Sequence, residues 1–191
     1  MTSSRPTLFY DFVDPLSYLL VLELAQVEEL EDDDLAWHPL ELRPPTEPLV
    51  TLDDPAVAQR WEEARANAGK KAATFDPPRL VPWTRKAHEL VLYAAEHDRE
   101  HGVRRRIFEA YMTESADIGR VDVLVTLAVE MGLDRTESKA VLDVDRHEAD
   151  VARLRDEALA GGVTSLPTLV AGDRRLEGFH NRDRIGTLLG T

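Results

Sequence analysis

Asp14 and Ser17 are the side chains with most to offer chemically. They stand three residues apart in Asp14-Pro15-Leu16-Ser17, directly after the short apolar run Leu8–Val13, which only Asp11 interrupts. A capping carboxylate followed by proline is a helix-start pair, so both fall in the first turn of a helix leaving a buried strand. Backbone N–H groups and the helix dipole favour an anion at such a junction. Two roles are open to Asp14 on residue type alone. It can cap the helix and nothing more, or it can act as a general acid or base assisted by Ser17, with burial beside a pocket tuning its carboxyl towards neutrality.

Other chemistry is excluded by the residues that are missing. The chain has no cysteine, which removes disulfides, thiolate nucleophiles, cysteine-ligated zinc and iron–sulfur clusters together. A net charge of −13 argues against a nucleic-acid partner, since phosphate would be repelled over most of the surface. His97 and His101 have the four-residue spacing of a zinc pair. They sit among Glu96, Asp98, Arg99 and Glu100 on a solvated face with no clear third ligand, so no metal is expected. Arg104-Arg105-Arg106 reads as a basic run paired with surface carboxylates in an acidic chain.

The elements that must position Asp14 and Ser17 follow from hydrophobic periodicity. The 191 residues suit one domain, or one domain with a large insertion, and 43% are hydrophobic, a globular proportion. No apolar run reaches the ~18 residues of a membrane span, and Met1–Pro6 has no signal-peptide character. A cytoplasmic protein is the default. After the first strand, Pro15 to about Glu31 reads as a helix that is buried in its first half and leaves through the acidic stretch Glu28–Asp34. Leu35–Leu42 alternates as a second strand, with Pro39 demoting it towards a sheet edge. Together these make a βαβ unit, followed by the proline-rich loop Arg43–Pro48.

From Asp53 to about Gly161 the pattern is helical. The first helix is capped by Asp53 or Asp54 and carries Val57, Trp61, Ala64 and Ala68 on one face. Further helices are expected over Trp83–His101, Val103–Ser115, Arg120–Met131, a short one capped by Asp134, and Arg146–Ala160. Strand character returns at Pro167–Ala171 and Arg174–Glu177 around the turn pair Gly172-Asp173. A last helix, Arg182–Leu189, follows Asn181. Two short β blocks around a helical insert must share one sheet, since neither buries a core alone.

This order, with its local motifs, resembles the DsbA family of thioredoxin-fold proteins. The likeness is nearest to the cytosolic FrnE-type branch, beside 2-hydroxychromene-2-carboxylate isomerase and kappa-class glutathione transferase. It is carried by Asp11–Tyr18, Glu41–Pro44, Thr84–Leu90, Phe108–Tyr111 with Asp117-Ile118, Gly132–Asp134 and Gly162–Thr168, six segments in the right order over nearly the whole chain. The resemblance implies an α/β fold in which residues 1–48 and 162–191 form a thioredoxin-like domain and 49–161 an inserted all-helical domain. It implies that Leu166-Pro167 is a cis bond facing the Asp14 turn, with the Leu166 backbone free to pair with an extended ligand. It places His88, Trp83 and Arg85 on the helical side of the same groove, with Trp61 beside them.

The resemblance also exposes a departure. Redox members hold Cys-Pro-X-Cys where this chain has Asp14-Pro15-Leu16-Ser17, so disulfide exchange is lost. The isomerase and transferase branch keeps a serine at the first position of that turn, against the sulfur of glutathione. Here the serine stands only at Ser17, and a carboxylate beside a bound thiol raises its pKa. The implied functions are therefore a non-redox protein that binds a small molecule or peptide in the groove or, as the alternative, a thiol-dependent isomerase or transferase using glutathione or another low-molecular-weight thiol. A homodimer is an allowed assembly. The segment Gly178–Arg184 corresponds to the one that opens the last helix in glutathione-binding relatives, but its spacing is shifted, and capping by Asn181 accounts for it without a ligand role for Asp183.

Overall fold

The computed structural model describes residues 5–27 and 30–190, apart from the side chains of residues 32, 71 and 72. The expectations for Met1–Ser4 and for Glu28 and Glu29 lie outside the described residues. The chain runs β1 (Thr7–Tyr10), α1 (Pro15–Leu24), β2 (Ala36–Pro39), β3 (Val50–Thr51), α2 (Pro55–Ala68), β4 (Leu80–Val81), α3 (Arg85–Ala95), α4 (Glu100–Thr113), α5 (Val121–Glu130), α6 (Arg135–Asp143), α7 (Glu148–Ala160), β5 (Thr168–Ala171), β6 (Arg174–Glu177) and α8 (Arg182–Leu189).

The two β blocks do form one sheet, in the order β2-β1-β5-β6. β1 pairs in parallel with β2, Leu8 opposite Trp37 and Tyr10 opposite Pro39, and antiparallel with β5, Leu8 opposite Leu169. Pro39 thus sits on an edge strand, where a missing N–H costs least. Gly172 takes φ +63° in the turn between β5 and β6, which favours a residue without Cβ.

Side chains of β1 alternate between two cores. Leu8 and Tyr10 face the larger one, built with residues of α3, α4 and α5. Phe9 packs on the other side against Leu40, Ala158, Val163 and Leu166. Each fully buried large apolar side chain contributes about 1.5–3 kcal/mol of burial free energy, and the greatest concentration lies around Phe108, Tyr111, Leu90 and Phe12.

The main differences from the sequence reading concern the end of α1, the break between α3 and α4, and the segment between β2 and β5. Helix α1 stops at Leu24 rather than near Glu31. The N–H groups of Gln26 and Val27 turn back to Glu23 and Leu24 carbonyls in i→i−3 bonds, tightening the end before the acidic residues that the helix dipole disfavours there. The break between α3 and α4 falls at Asp98, which adopts φ 57°, and not at Gly102, which lies inside α4; Asp tolerates the left-handed region better than most residues. The segment between β2 and β5 also carries strand pairing besides its helices: Val50–Thr51 and Leu80–Val81 form an antiparallel ladder. Two-residue strands are too short to leave an alternation in the sequence.

Candidate functional site

Asp14 is the N-cap of α1, and Pro15 occupies the first helical position. Helix α1 is apolar on nearly every side, Leu16, Leu19 and Leu20 all being buried, so its N-terminus is set deep against the sheet and its cap is carried inside with it. Asp14 is 1% exposed. One oxygen, Oδ2, accepts the Ser17 backbone N–H at 2.7 Å and the Ser17 hydroxyl at 2.5 Å. The other, Oδ1, accepts Nε–H of Arg60 at 2.8 Å. Burial pushes the Asp14 pKa upward, while Arg60 and the Ser17 bonds hold back part of that rise. The helix-end anion position is thus filled by the protein's own carboxylate. Ser17, fully buried, donates its one hydroxyl proton to that carboxylate and not to a ligand.

Beside Asp14 lies a cleft of about 420 Å³. Val13, Asp14 and Pro15 line one part and Ser165 and Leu166 another; Arg43, Arg60 and Trp61 also line it, together with one further carboxylate, Glu47. Leu166-Pro167 is a cis peptide. Neither N–H nor C=O of Leu166 finds a hydrogen-bond partner among the described residues, so the cleft wall presents an unpaired backbone edge. The Arg60 side chain is 30% exposed and Arg43 stands 3.9 Å from Asp54, which leaves both guanidinium groups with donors to offer. Chemically the cleft can take an extended chain at Leu166 and carboxylates at Arg60 and Arg43.

The structure brings Asp14, Ser17, Leu166, Pro167 and Trp61 into this neighbourhood, and it places His88, Trp83 and Arg85 elsewhere. His88 is buried in the main core with Nε2 3.0 Å from Asp11 Oδ1. Asp11, fully buried, also accepts the N–H groups of Phe12 and Leu42 at 2.8 Å each. The pair therefore ties the end of β1, the segment after β2 and α3 together. Arg85 is engaged by Glu41, which is fully buried and takes Nε and Nη2 in a forked pair, with Nη2 at 2.8 Å. A second carboxylate, Glu148, binds Nη1 at 2.9 Å. Trp83 donates its indole N–H to the Glu47 carbonyl at 3.0 Å, and with Arg85 it lines a different cavity of about 440 Å³.

Arg60 and Arg43 were not legible as site residues. Each is one arginine among many, and only the packing of α2 on α1 shows that Arg60 reaches Asp14. Asp11, a carboxylate inside an apolar run just after β1, is a signal of a buried partner, and that partner is His88. Of the remaining candidates, His97 packs its ring on Tyr93 at 4.7 Å, whereas His101 lies 3.0 Å from Asp33 and 3.4 Å from Glu100; the two histidines do not converge. In the arginine run, Arg106 pairs at the surface with Glu114 and Glu130, but Arg104 is buried instead, over the Trp37 ring at 4.4 Å. It is the inward-facing member of the run on α4. Asn181 caps α8 by accepting the Arg184 N–H at 3.1 Å, and the Asp183 side chain is largely exposed.

Comparison with known proteins agrees with this architecture. Uncharacterized protein YwbO of Bacillus subtilis (strain 168) is 29% identical over 181 residues, 92% of this chain and 90% of its own length. The fold is similar to that of 2-hydroxychromene-2-carboxylate isomerase, with TM-score 0.73 at 16% identity over 97% of this chain and 92% of that one. It is also similar to the cytosolic disulfide reductase DsbM of Pseudomonas aeruginosa with GSH, with TM-score 0.63 at 18% identity over 97% and 96%. The profile of the DSBA-like thioredoxin domain matches residues 7–190. The match spans nearly the whole described chain, and this cysteine-free chain belongs to the DSBA-like thioredoxin domain family.

Proposed function

We propose that the chain is a non-redox member of its family that binds a small molecule or peptide in the cleft beside Asp14. The observation that carries this reading is the unpaired Leu166 backbone in a cleft also lined by two guanidinium groups. An extended ligand gains main-chain hydrogen bonds at Leu166, as an added strand would, and terminal carboxylates match the arginine forks. With no cysteine anywhere in the chain, it supplies neither the attacking nor the resolving thiol of disulfide exchange. A cytoplasmic location suits this reading; the DsbM relative is described as cytosolic.

A second reading, a glutathione-dependent isomerase or transferase, is favoured by the likeness to the isomerase and to DsbM with GSH. Against it stands the Ser17 hydroxyl, committed to Asp14 at 2.5 Å, and the carboxylate itself, which disfavours a neighbouring thiolate. Calorimetry with glutathione and S-methylglutathione separates the two. The binding reading expects both to bind alike, with Arg60→Gln weakening each about ten-fold or more. Heat from the free thiol alone would favour the second reading. No heat from either at about 10 mM would remove peptide thiols as ligands and overturn the carboxylate-to-arginine match.

A further inference from the structure

A third cavity, about 310 Å³ in volume, is lined by Tyr10 of β1 and Trp37 of β2 and shares no wall residue with the Asp14 cleft. Arg104 is its most unusual wall. This arginine is 6% exposed, and its guanidinium lies 4.4 Å from the Trp37 ring centroid and 5.9 Å from that of Tyr10. Its hydrogen bonds go to groups other than carboxylates, Nε to the Tyr10 hydroxyl and Nη1 to His101 Nδ1, both at 3.3 Å. Tyr10 does not serve as a counter-ion, because burial raises its pKa further above 10.0. Among the described residues Nη2 has no hydrogen-bond partner, and no carboxylate comes within ion-pairing distance of Arg104. A desolvated cation is ordinarily paired; ring faces soften its charge without cancelling it.

Three buried polar atoms of residues on the same wall are unpartnered: Trp37 Nε1, His88 Nδ1 and Glu100 Oε2. The other ring nitrogen of His88 is held by Asp11, so the imidazole is fixed in orientation. Leu35, Val91 and Ala95 give the wall an apolar part, and Arg5 adds a second cation at its exposed side. We propose that this cavity is a binding site for a small carboxylic acid with an apolar body, its carboxylate meeting Arg104 and the Trp37 indole N–H. A planar carboxylate fits the guanidinium fork and an apolar body fits the wall. Glu100, also on the wall, pairs with His101 at 3.4 Å and leaves Oε2 buried without a partner; its charge opposes the ligand's.

Calorimetry on the full chain with benzoate as probe, and inorganic phosphate as the comparison anion, tests the site. Expected are saturable binding of benzoate, weaker binding of phosphate, loss of about ten-fold or more of benzoate affinity in Arg104→Gln with an unchanged circular dichroism spectrum, and a gain of about two- to five-fold in Glu100→Gln. A purely structural Arg104 would leave the Glu100→Gln gain absent. If Arg104→Gln does not fold, Trp37→Phe keeps a ring under the guanidinium and removes the N–H, and benzoate affinity should still fall several-fold. No saturable benzoate binding, undiminished binding in folded Arg104→Gln or in Trp37→Phe, no gain in Glu100→Gln, or phosphate bound more tightly than benzoate would each overturn the proposal.

Discussion

Asp14 is a cap whose carboxylate has been drawn into the interior, and its protonation is thereby linked to folding. Burial raises its folded-state pKa above the ordinary 3.8. A raised carboxyl pKa means that the native state binds the proton more tightly than the unfolded chain. The associated stability is complete below that ordinary value and is lost as pH rises through the folded value. Asparagine caps a helix as well as aspartate does and does not titrate. Thermal unfolding from about pH 4 upward should therefore show Asp14→Asn gaining stability relative to the parent as pH increases. A flat or falling difference would mean that Arg60 and Ser17 outweigh burial. Asp11 is a different case. Its carboxylate serves His88, Phe12 and Leu42 at once, so Asp11→Ala leaves three groups without partners, the buried His88 imidazole and Phe12 N–H and the part-buried Leu42 N–H. We expect a loss of about 3 kcal/mol or more in denaturant unfolding, since each stranded polar group costs about 1–3 kcal/mol; a loss below 1 kcal/mol would show that water replaces the carboxylate.

At the scale of elements, the cleft depends on where α2 begins. Asp54 caps it, Oδ1 accepting the Ala56 and Val57 N–H groups at 3.0 and 3.2 Å, with Pro55 at the first position. Trp61 and Ala64 then bury one face of α2, and Arg60 is carried to Asp14. Asp54→Ala should cost about 1 kcal/mol of stability and raise hydrogen exchange in the first turn of α2 more than in α1. Uniform exchange changes in both helices would show that they open as one unit. The starts of α1, α2, α6 and α8 were legible because the chemistry is local: Asp14, Asp54, Asp134 and Asn181 each accept a backbone N–H within three residues. The end of α1 and the break at Asp98 were not, because each depends on how the chain turns back onto the core.

The whole molecule carries its −13 charge around a sheet only four strands wide, and among the described residues no helix is long and apolar enough to cross a membrane. Excess like charge works against compactness and salt screens it. Raising ionic strength to about 0.5 M should raise the melting temperature, with most of the gain arriving in the first ~0.15 M; a decrease would mean that the surface ion pairs contribute more than self-repulsion costs. Sequence alone determined that the chain carries no thiol of its own, the β-α-β and β-β-α flanks, the family resemblance and the capping role of Asp14, because each follows from residue type or short-range spacing. Only the tertiary structure decided what surrounds that carboxylate. Arg60 reaches it from 46 residues away, Glu41 takes Arg85, Asp11 takes His88, and Arg104 turns inward onto Trp37. Ion pairs between distant segments leave no periodic trace in a chain rich in both charges, since a charged side chain reads the same whether its partner is water or another residue buried beside it.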